Sequence, residues 1–352
     1  MRTLYLIRHG KPEVRERHIC GYAKDVPLSL EGRRQAERLR DWAGTKRLTR
    51  VYTSPAARCL QTAQILAGRR TPVCPDGGLA EADTGVWTGL SFDEIQRRWP
   101  EEYDRRGREM GTFPPPGGES FSQAGERMAG TVARLLAQSQ GDIAVVAHGG
   151  INRGWLCRLL GRSANQALAL PQPWGGVSEI SVGGGKLAVL STGVRPGGWP
   201  DRAEVEDLWR KYATPAAVQA HCRAVARRAM ELADQVEGPV DRELLQAACL
   251  LHDLVRDWPD HAHACGEKMV QEGWPQLAEL IAVHHDLPEE AGREASLLYL
   301  ADKLVQGDQP VSLAERFKAK RGLCGMPEAL AAWERRCCRA WQAARELGLD
   351  VI

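Results

Sequence analysis

The sequence lacks any apolar run long enough to cross a bilayer. A spanning helix needs about eighteen or more such residues, and the first apolar run, Leu4 to Ile7, is closed at once by Arg8. With Arg2 ahead of so short a run, the start of the chain also carries no pattern of a secretory signal. Ten cysteines are scattered without a single CxxC pair. That excludes a zinc knuckle or a disulfide framework and fits small thiols in a reducing cytoplasm, the expected location. A formal net charge of +2 gives no footprint for nucleic acid. Internal repeats and low-complexity tracts are absent too. These absences leave an ordinary globular chain without membrane or nucleic-acid partners. Its 352 residues are long enough for about two domains.

What is present divides the chain in two. The first half alternates strand and helix signals. Thr3–Ile7 reads as a buried strand, residues 29–42 as an amphipathic helix, and 50–53 as a strand followed by a helix opening at Pro55. Residues 120–138 read as a helix, 142–147 as a strand and 151–160 as a helix. Two strands around Gly183-Gly184-Gly185 form a closing hairpin. This order predicts an α/β sandwich with a mostly parallel sheet over residues 1–193. The Pro- and Gly-rich segment 195–201 breaks every pattern, so 194–203 is read as a linker. From 204 to 352 only amphipathic helices remain, which predicts an all-α domain.

In the first half, a strand running directly into Arg8-His9-Gly10 places a histidine at the carboxyl edge of a parallel sheet, where open α/β sheets bind ligands. Neutral imidazole is a competent nucleophile toward phosphorus. A transferring phosphoryl group spreads negative charge and needs fixed cations around it. Arg8, Arg58 after the second strand, and His148 at the end of the third, with a helix starting just after it, are placed to supply them.

These residues lie in five ordered motifs: Leu-Ile-Arg8-His9-Gly10, the segment Asp25 to Ala36, Thr53-Ser54-Pro-Ala-Ala-Arg58-Cys-Leu-Gln-Thr62, Leu79-Ala-Glu81 through Gly89, and Ala147-His148-Gly149. Residues 1 to about 192 thereby resemble the histidine phosphatase, or phosphoglycerate-mutase-like, superfamily. The resemblance implies His9 as nucleophile, Arg8, Arg58, His148 and Gly149 as the phosphate pocket, Glu81 as proton donor, and no cofactor. Two positions depart from the pattern. Lys11-Pro12-Glu13 stands where many members carry a threonine and a phosphate-touching asparagine, and Cys20-Gly21 where glutamine-glycine is common. Specificity falls to Lys11, Arg15, Trp87 and the segment 100–118.

In the second half, His252-Asp253 follows the apolar stretch Ala247–Leu251, and Asp302 lies in an apolar helix from Leu297 to Val305. A carboxylate beside a core is costly unless it is paired or binds metal. Imidazole and carboxylate together suit Mn, Fe, Ni or Zn. The pattern His221, His252-Asp253, Asp302 resembles the HD superfamily of metal-dependent phosphohydrolases. His261 and His284 match a two-metal subfamily that includes enzymes cleaving symmetrical dinucleoside tetraphosphates. The resemblance implies one or two divalent ions, Fe, Mn or another, held by these six residues, with His263 and His285 as look-alikes outside the ligand set. Asp253, directly after another ligand in a helix, is the expected bridge.

Together these readings predict a bifunctional phosphohydrolase. Its first domain would dephosphorylate a small phosphomonoester, in the manner of α-ribazole phosphatases. Its second would cleave a nucleotide-type ester or anhydride. The alternatives are a histidine phosphatase regulated by a nucleotide-sensing HD domain, and a phosphoglycerate-mutase-type phosphotransferase.

Overall fold

A computed structural model describes residues 2–14, 18–19, 21, 23, 25–322 and 326–350. Arg15 and Cys20, singled out above, lie outside the described residues. The chain divides into two compact units, Met1–Gly197 with Gln271–Gly273, and Gly198–Val270 with Trp274–Ile352.

The first unit is built on β1 (Arg2–Arg8), whose side chains alternate between two cores. Leu4 and Leu6 pack with Met128, Val132 and Trp155, whereas Tyr5 and Ile7 pack with Leu39, Ala63 and Leu66. Each fully buried aliphatic chain contributes roughly 1.5–3 kcal/mol, so a strand apolar on both faces requires a helical layer on each. One layer is α1 (Leu30–Ala43) and α2 (Ala57–Ala67), the other α5 (Phe121–Ala137) and α6 (Gly149–Leu159). Between them β2 (Leu48–Thr53), β3 (Val73–Pro75) and β4 (Asp142–Ala147) join β1 in parallel. The antiparallel hairpin of β5 (Val177–Gly183) and β6 (Lys186–Val194) completes the order β3-β2-β4-β1-β5-β6. This is the predicted α/β sandwich. Two short helices that the pattern did not reveal, α3 (Phe92–Arg98) and α4 (Pro100–Arg108), lie in the connection ahead of α5.

Two helix starts differ from the sequence reading. Ser54 Oγ accepts the Ala56 amide at 3.4 Å and Ala56 is extended, so α2 begins at Ala57 rather than at Pro55. The last of these helices, α6, starts at Gly149, immediately after the extended His148, two residues before the predicted start.

The second unit is helical, with α7 (Arg202–Lys211), α8 (Ala216–Ala233), α9 (Arg242–Leu251), α10 (His261–Gln271), α11 (Pro275–Ala282), α12 (Arg293–Lys303), α13 (Leu313–Arg321) and α14 (Pro327–Glu346). One core gathers Val225, Leu245, Cys249, Ile281, Leu298 and Tyr299. The all-α expectation holds but for a two-residue hairpin, Val305–Gln306 with Gln309–Pro310, turned at Gly307 with φ +61°. This hairpin ends α12 at Lys303, short of the expected Val305. Asp253 is not in a helix either. The imidazole Nδ1 of His252 pairs with the Cys249 carbonyl at 2.8 Å, taking one of the carbonyls that continued winding would have used, and α9 stops at Leu251. Among the described residues no helix is long and apolar enough to cross a membrane.

Candidate active sites

In the first unit, β1, β2 and β4 end side by side and deliver their next residues to one edge. His9 follows β1 and its amide bonds the Ala147 carbonyl of β4 at 3.1 Å. His148 follows β4, and Arg58 stands in the first turn of α2. All three are buried, with Arg58 only 2% exposed. The His9 Nδ1 lies 2.6 Å from the Gly10 carbonyl, which fixes the proton on Nδ1 and leaves Nε2 bare. Toward that Nε2 the guanidinium of Arg58 donates from Nε at 3.3 Å. The same guanidinium donates to the carbonyls of Ala23 at 2.6 Å and Gly21 at 2.8 Å, and lies 3.1 Å from His148 Nδ1. His148 then carries its proton on Nε2 and gives it to Ser54 Oγ at 2.8 Å. Burial first, then the charges of Arg58 and Arg8, hold His9 well below the usual imidazole range. His148 is held low by burial, His9 and Arg58. Both rings are therefore neutral at neutral pH.

Arg8 donates to the Gln172 carbonyl at 2.5 Å and lies over the Trp174 ring at 5.3 Å, while its Nε has no hydrogen-bond partner among the described residues. Burial and the neighbouring Arg153 pull its guanidinium down to about 9. An anion would relieve both conditions. At Gly149 the backbone comes close to both arginines: a Cβ there would sit 3.1 Å from Arg8 Nε and from Arg153 Nη1. Glu81 accepts amides from Ile151 at 2.8 Å and Gly150 at 3.1 Å. The start of α6, expected to face an anion, thus receives this carboxylate. Glu81 lines both a small pocket that holds Arg58, His148 and Ser54, and a larger cavity of about 350 Å³. Ser54 was within a recognised motif but went unassigned. Arg153, one turn after Gly149 and near enough to Arg8 to lower it, lies in none of the sequence motifs. Lys11 is occupied with Glu31.

In the second unit the six predicted ligands converge. The two oxygens of Asp253 face different imidazoles. Oδ2 lies 3.5 Å from His252 Nε2 and 3.7 Å from His221 Nε2, and Oδ1 lies 3.1 Å from His261 Nε2 and 3.6 Å from His284 Nε2. Asp302 Oδ1 adds contacts of 3.2 Å to His221 and 3.8 Å to His252. Backbone carbonyls of Gly307, Cys249 and Ile281 take the Nδ1 protons of His221, His252 and His284 at 2.7–2.8 Å, so each ring turns Nε2 inward. Metal bonds of roughly 2.0–2.2 Å set ligand atoms roughly 3–3.6 Å apart, close to these separations. The residues fit a cation on a second count. His252 Nε2, His261 Nε2, His284 Nε2 and Asp253 Oδ1 are buried without a hydrogen-bond partner among the described residues. Bare nitrogen lone pairs facing carboxylate oxygen repel unless a cation or proton lies between. Burial alone would raise Asp253, but His252, His261 and His284 outweigh it and hold the carboxyl far below its usual range. Burial opposes protonation of His252, and Asp253 overcomes it and raises the ring well above the usual value.

His285, set aside as a look-alike, stands with His261 and His284 as one of two groups among the described residues whose ligand atoms lie within 4.8 Å of one another, the other being His221, His252 and Asp253. His263 is exposed and pairs with Glu267 at 3.5 Å. Lys303, which follows Asp302 in the motif and had no role assigned, reaches Asp302 at 2.7 Å, and Arg256, which no sequence motif indicates, reaches Asp253 at 2.6 Å.

Comparison with known proteins follows the same division. Residues 4–194 match the histidine phosphatase superfamily (branch 1), and residues 218–306 match the HD domain. A curated relative, chicken 6-phosphofructo-2-kinase/fructose-2,6-bisphosphatase, is 29% identical over 47% of this chain and 34% of its own length. The rat isoform 3 of that enzyme is 32% identical over 49% of this chain and 30% of its own. The chain thus spans about a third of the length of these relatives. Among solved structures, YhfR of Bacillus stearothermophilus is 30% identical with a TM-score of 0.51, covering 54% of this chain and 95% of its own. A candidate alpha-ribazole-5'-P phosphatase from Escherichia coli is 25% identical with a TM-score of 0.51, covering 56% and 99%.

Proposed function

The chain belongs to the histidine phosphatase superfamily, and from that premise we propose a bifunctional phosphohydrolase in which His9 forms a phosphohistidine and the helical half hydrolyses a nucleotide-type ester or anhydride with bound metal. The observation that carries the first part is the bare, neutral Nε2 of His9, met by Arg58 Nε at 3.3 Å at the sheet edge. His9 Nε2 attacks phosphorus as the P–O bond to the alcohol breaks. Arg8, Arg58 and His148, with Gly149 close against Arg8, hold the spread charge of the phosphoryl group. Glu81, at the junction of the two cavities, gives its proton to the leaving alkoxide. It then takes one from the water that releases phosphate from His9. The substrate is a small phosphomonoester of the kind the α-ribazole phosphatase neighbours suggest.

In the second half His221, His252, Asp253, His261, His284 and Asp302 would hold one or two divalent ions, Fe, Mn or another; Asp253 is shared between the imidazoles, its two oxygens facing different pairs. Such ions, when bound, supply an activated hydroxide and neutralise phosphate charge. Asp253 orients the two imidazole pairs, and the carbonyls of Gly307, Cys249 and Ile281 fix the tautomers of His221, His252 and His284. Metal analysis of protein purified without chelator, followed by assay of a phosphoester and nucleotide panel before and after chelation, tests the division. Chelation should stop one set of activities and leave the other.

A further inference from the structure

The larger cavity beside Glu81 has a composition that the phosphate chemistry does not require. It measures about 350 Å³ and its walls include Trp87, Phe92, Tyr103, Met110 and Phe121. That volume is in the range of small-molecule sites. Four aromatic side chains line it in a chain with only 6% aromatic residues. Among the described lining residues the charged groups are Glu81 and Arg106. Arg106 is 8% exposed, lies 5.0 Å over the Phe121 ring and donates to the Phe113 carbonyl. It therefore presents a flat stacked face, with part of its donor capacity already used. Burial lowers it to about 10, with Glu81 opposing the fall.

The cavity is continuous in its lining with the phosphate side. Glu81 and Gly21 belong to both it and the pocket of Arg58, His148 and Ser54. With Glu81 as proton donor to the leaving oxygen, the alcohol of the ester lies beside Glu81, and the larger of the two cavities that Glu81 lines has room for it. A glycerate carboxylate or a second phosphate placed there would be desolvated among rings, with the partly engaged Arg106 as the one cation among the described lining residues, which is costly. An uncharged ring system would bury its faces against Trp87, Tyr103 and Phe121 and stack on Arg106.

We infer that the substrate of the His9 site is the phosphate ester of a bulky, uncharged, ring-bearing alcohol, selected by the aromatic cavity between Trp87 and Phe121. The inference rests on the phosphohistidine reading above and deepens it. The test uses the full chain with chelator present and four esters: 2-(1-naphthyl)ethyl phosphate, glycerol 3-phosphate, 3-phosphoglycerate and fructose 2,6-bisphosphate. The naphthyl ester should exceed the other three in kcat/KM by about 100-fold, the ratio expected from burying a ring. Met110→Lys and Phe92→Arg, which place a cation in the cavity, should each cut the ratio of naphthyl ester to 3-phosphoglycerate by 10-fold or more. Both esters are read on one variant, so a general loss of folded protein cancels. A wild-type preference for a charged ester, equal use of all four, or a ratio that neither variant moves would overturn the inference. Acid-labile phosphate on His9 separates the two levels. Label without ring preference defeats this inference alone, whereas no label from any ester defeats the phosphohistidine reading and this inference together.

Discussion

The two halves use histidine in opposite electrical settings. Around His9 and His148 the neighbours are arginines, and with burial they keep both rings neutral. Around His252 the neighbour is Asp253, which outweighs burial and favours the charged ring. The first arrangement is a positive cradle with a bare nitrogen, suited to a phosphoryl group. The second is a ring of lone pairs and carboxylates, suited to a cation. The sign of the neighbouring charge, rather than the residue type, decides what an imidazole at a buried site can do.

The contrast can be broken from either side. The largest effect is expected from His9→Ala, which should abolish phosphatase activity measured with chelator present while leaving the metal content of the helical half unchanged. Full activity in that variant would remove the nucleophile from the account. Asp253→Asn should act on the other half alone, lowering bound metal to less than half of the wild-type value by elemental analysis. Unchanged metal content would mean that the two facing imidazole pairs bind without their shared carboxylate. Glu81→Gln should slow alkyl esters by about 10²–10⁴-fold and aryl esters far less, since only the poor leaving group needs a proton. Equal losses would make Glu81 a cap on α6.

The smallest effect concerns pH and stability. His9 and His148 are depressed in the folded state, so each binds less proton there than when unfolded. Below the ordinary imidazole value of about 6.5, and above their folded values, each should cost the first unit about 1.4 kcal/mol per pH unit. In metal-free protein His252 has the opposite sign. Its contribution is fully present below about 6.5 and is lost as pH rises through its raised value. Urea unfolding of chelated protein between pH 7.5 and 5.5 should therefore show a steeper acid loss for the first unit, reduced in His148→Gln. A slope indifferent to that substitution would contradict neutral burial of the ring.

Much of this contrast was legible in the sequence because both sites hang on short, rule-bound segments. A both-sides-buried strand running into Arg8-His9-Gly10 can only deliver His9 to a sheet edge. His252-Asp253 after an apolar stretch, and Asp302 within another, mark carboxylates that need a partner. What was not legible depends on tertiary approach. Helices α3 and α4 bury only Ile95 and Arg106, too little to impose an apolar period, so the sequence pointed to Trp87 and the segment 100–118 for specificity without showing the cavity they help to wall. The capture of Glu81 by the Gly150 and Ile151 amides joins residues about 70 positions apart. The helix expected around Asp253 ends at Leu251, where the His252 side chain bonds the Cys249 carbonyl, a contact that helix propensity does not contain.

The central claim is that the two halves carry two chemistries that separate at the metal. Its most direct measurement is rapid acid and base quenching of the chelated full-length chain during turnover of a phosphomonoester, with the labelled residue identified. The account predicts a base-stable, acid-labile phosphate on His9, formed at the same rate with chelator as with added Mn or Fe. Absence of that label during turnover, or a label that forms only when metal is supplied, would contradict it.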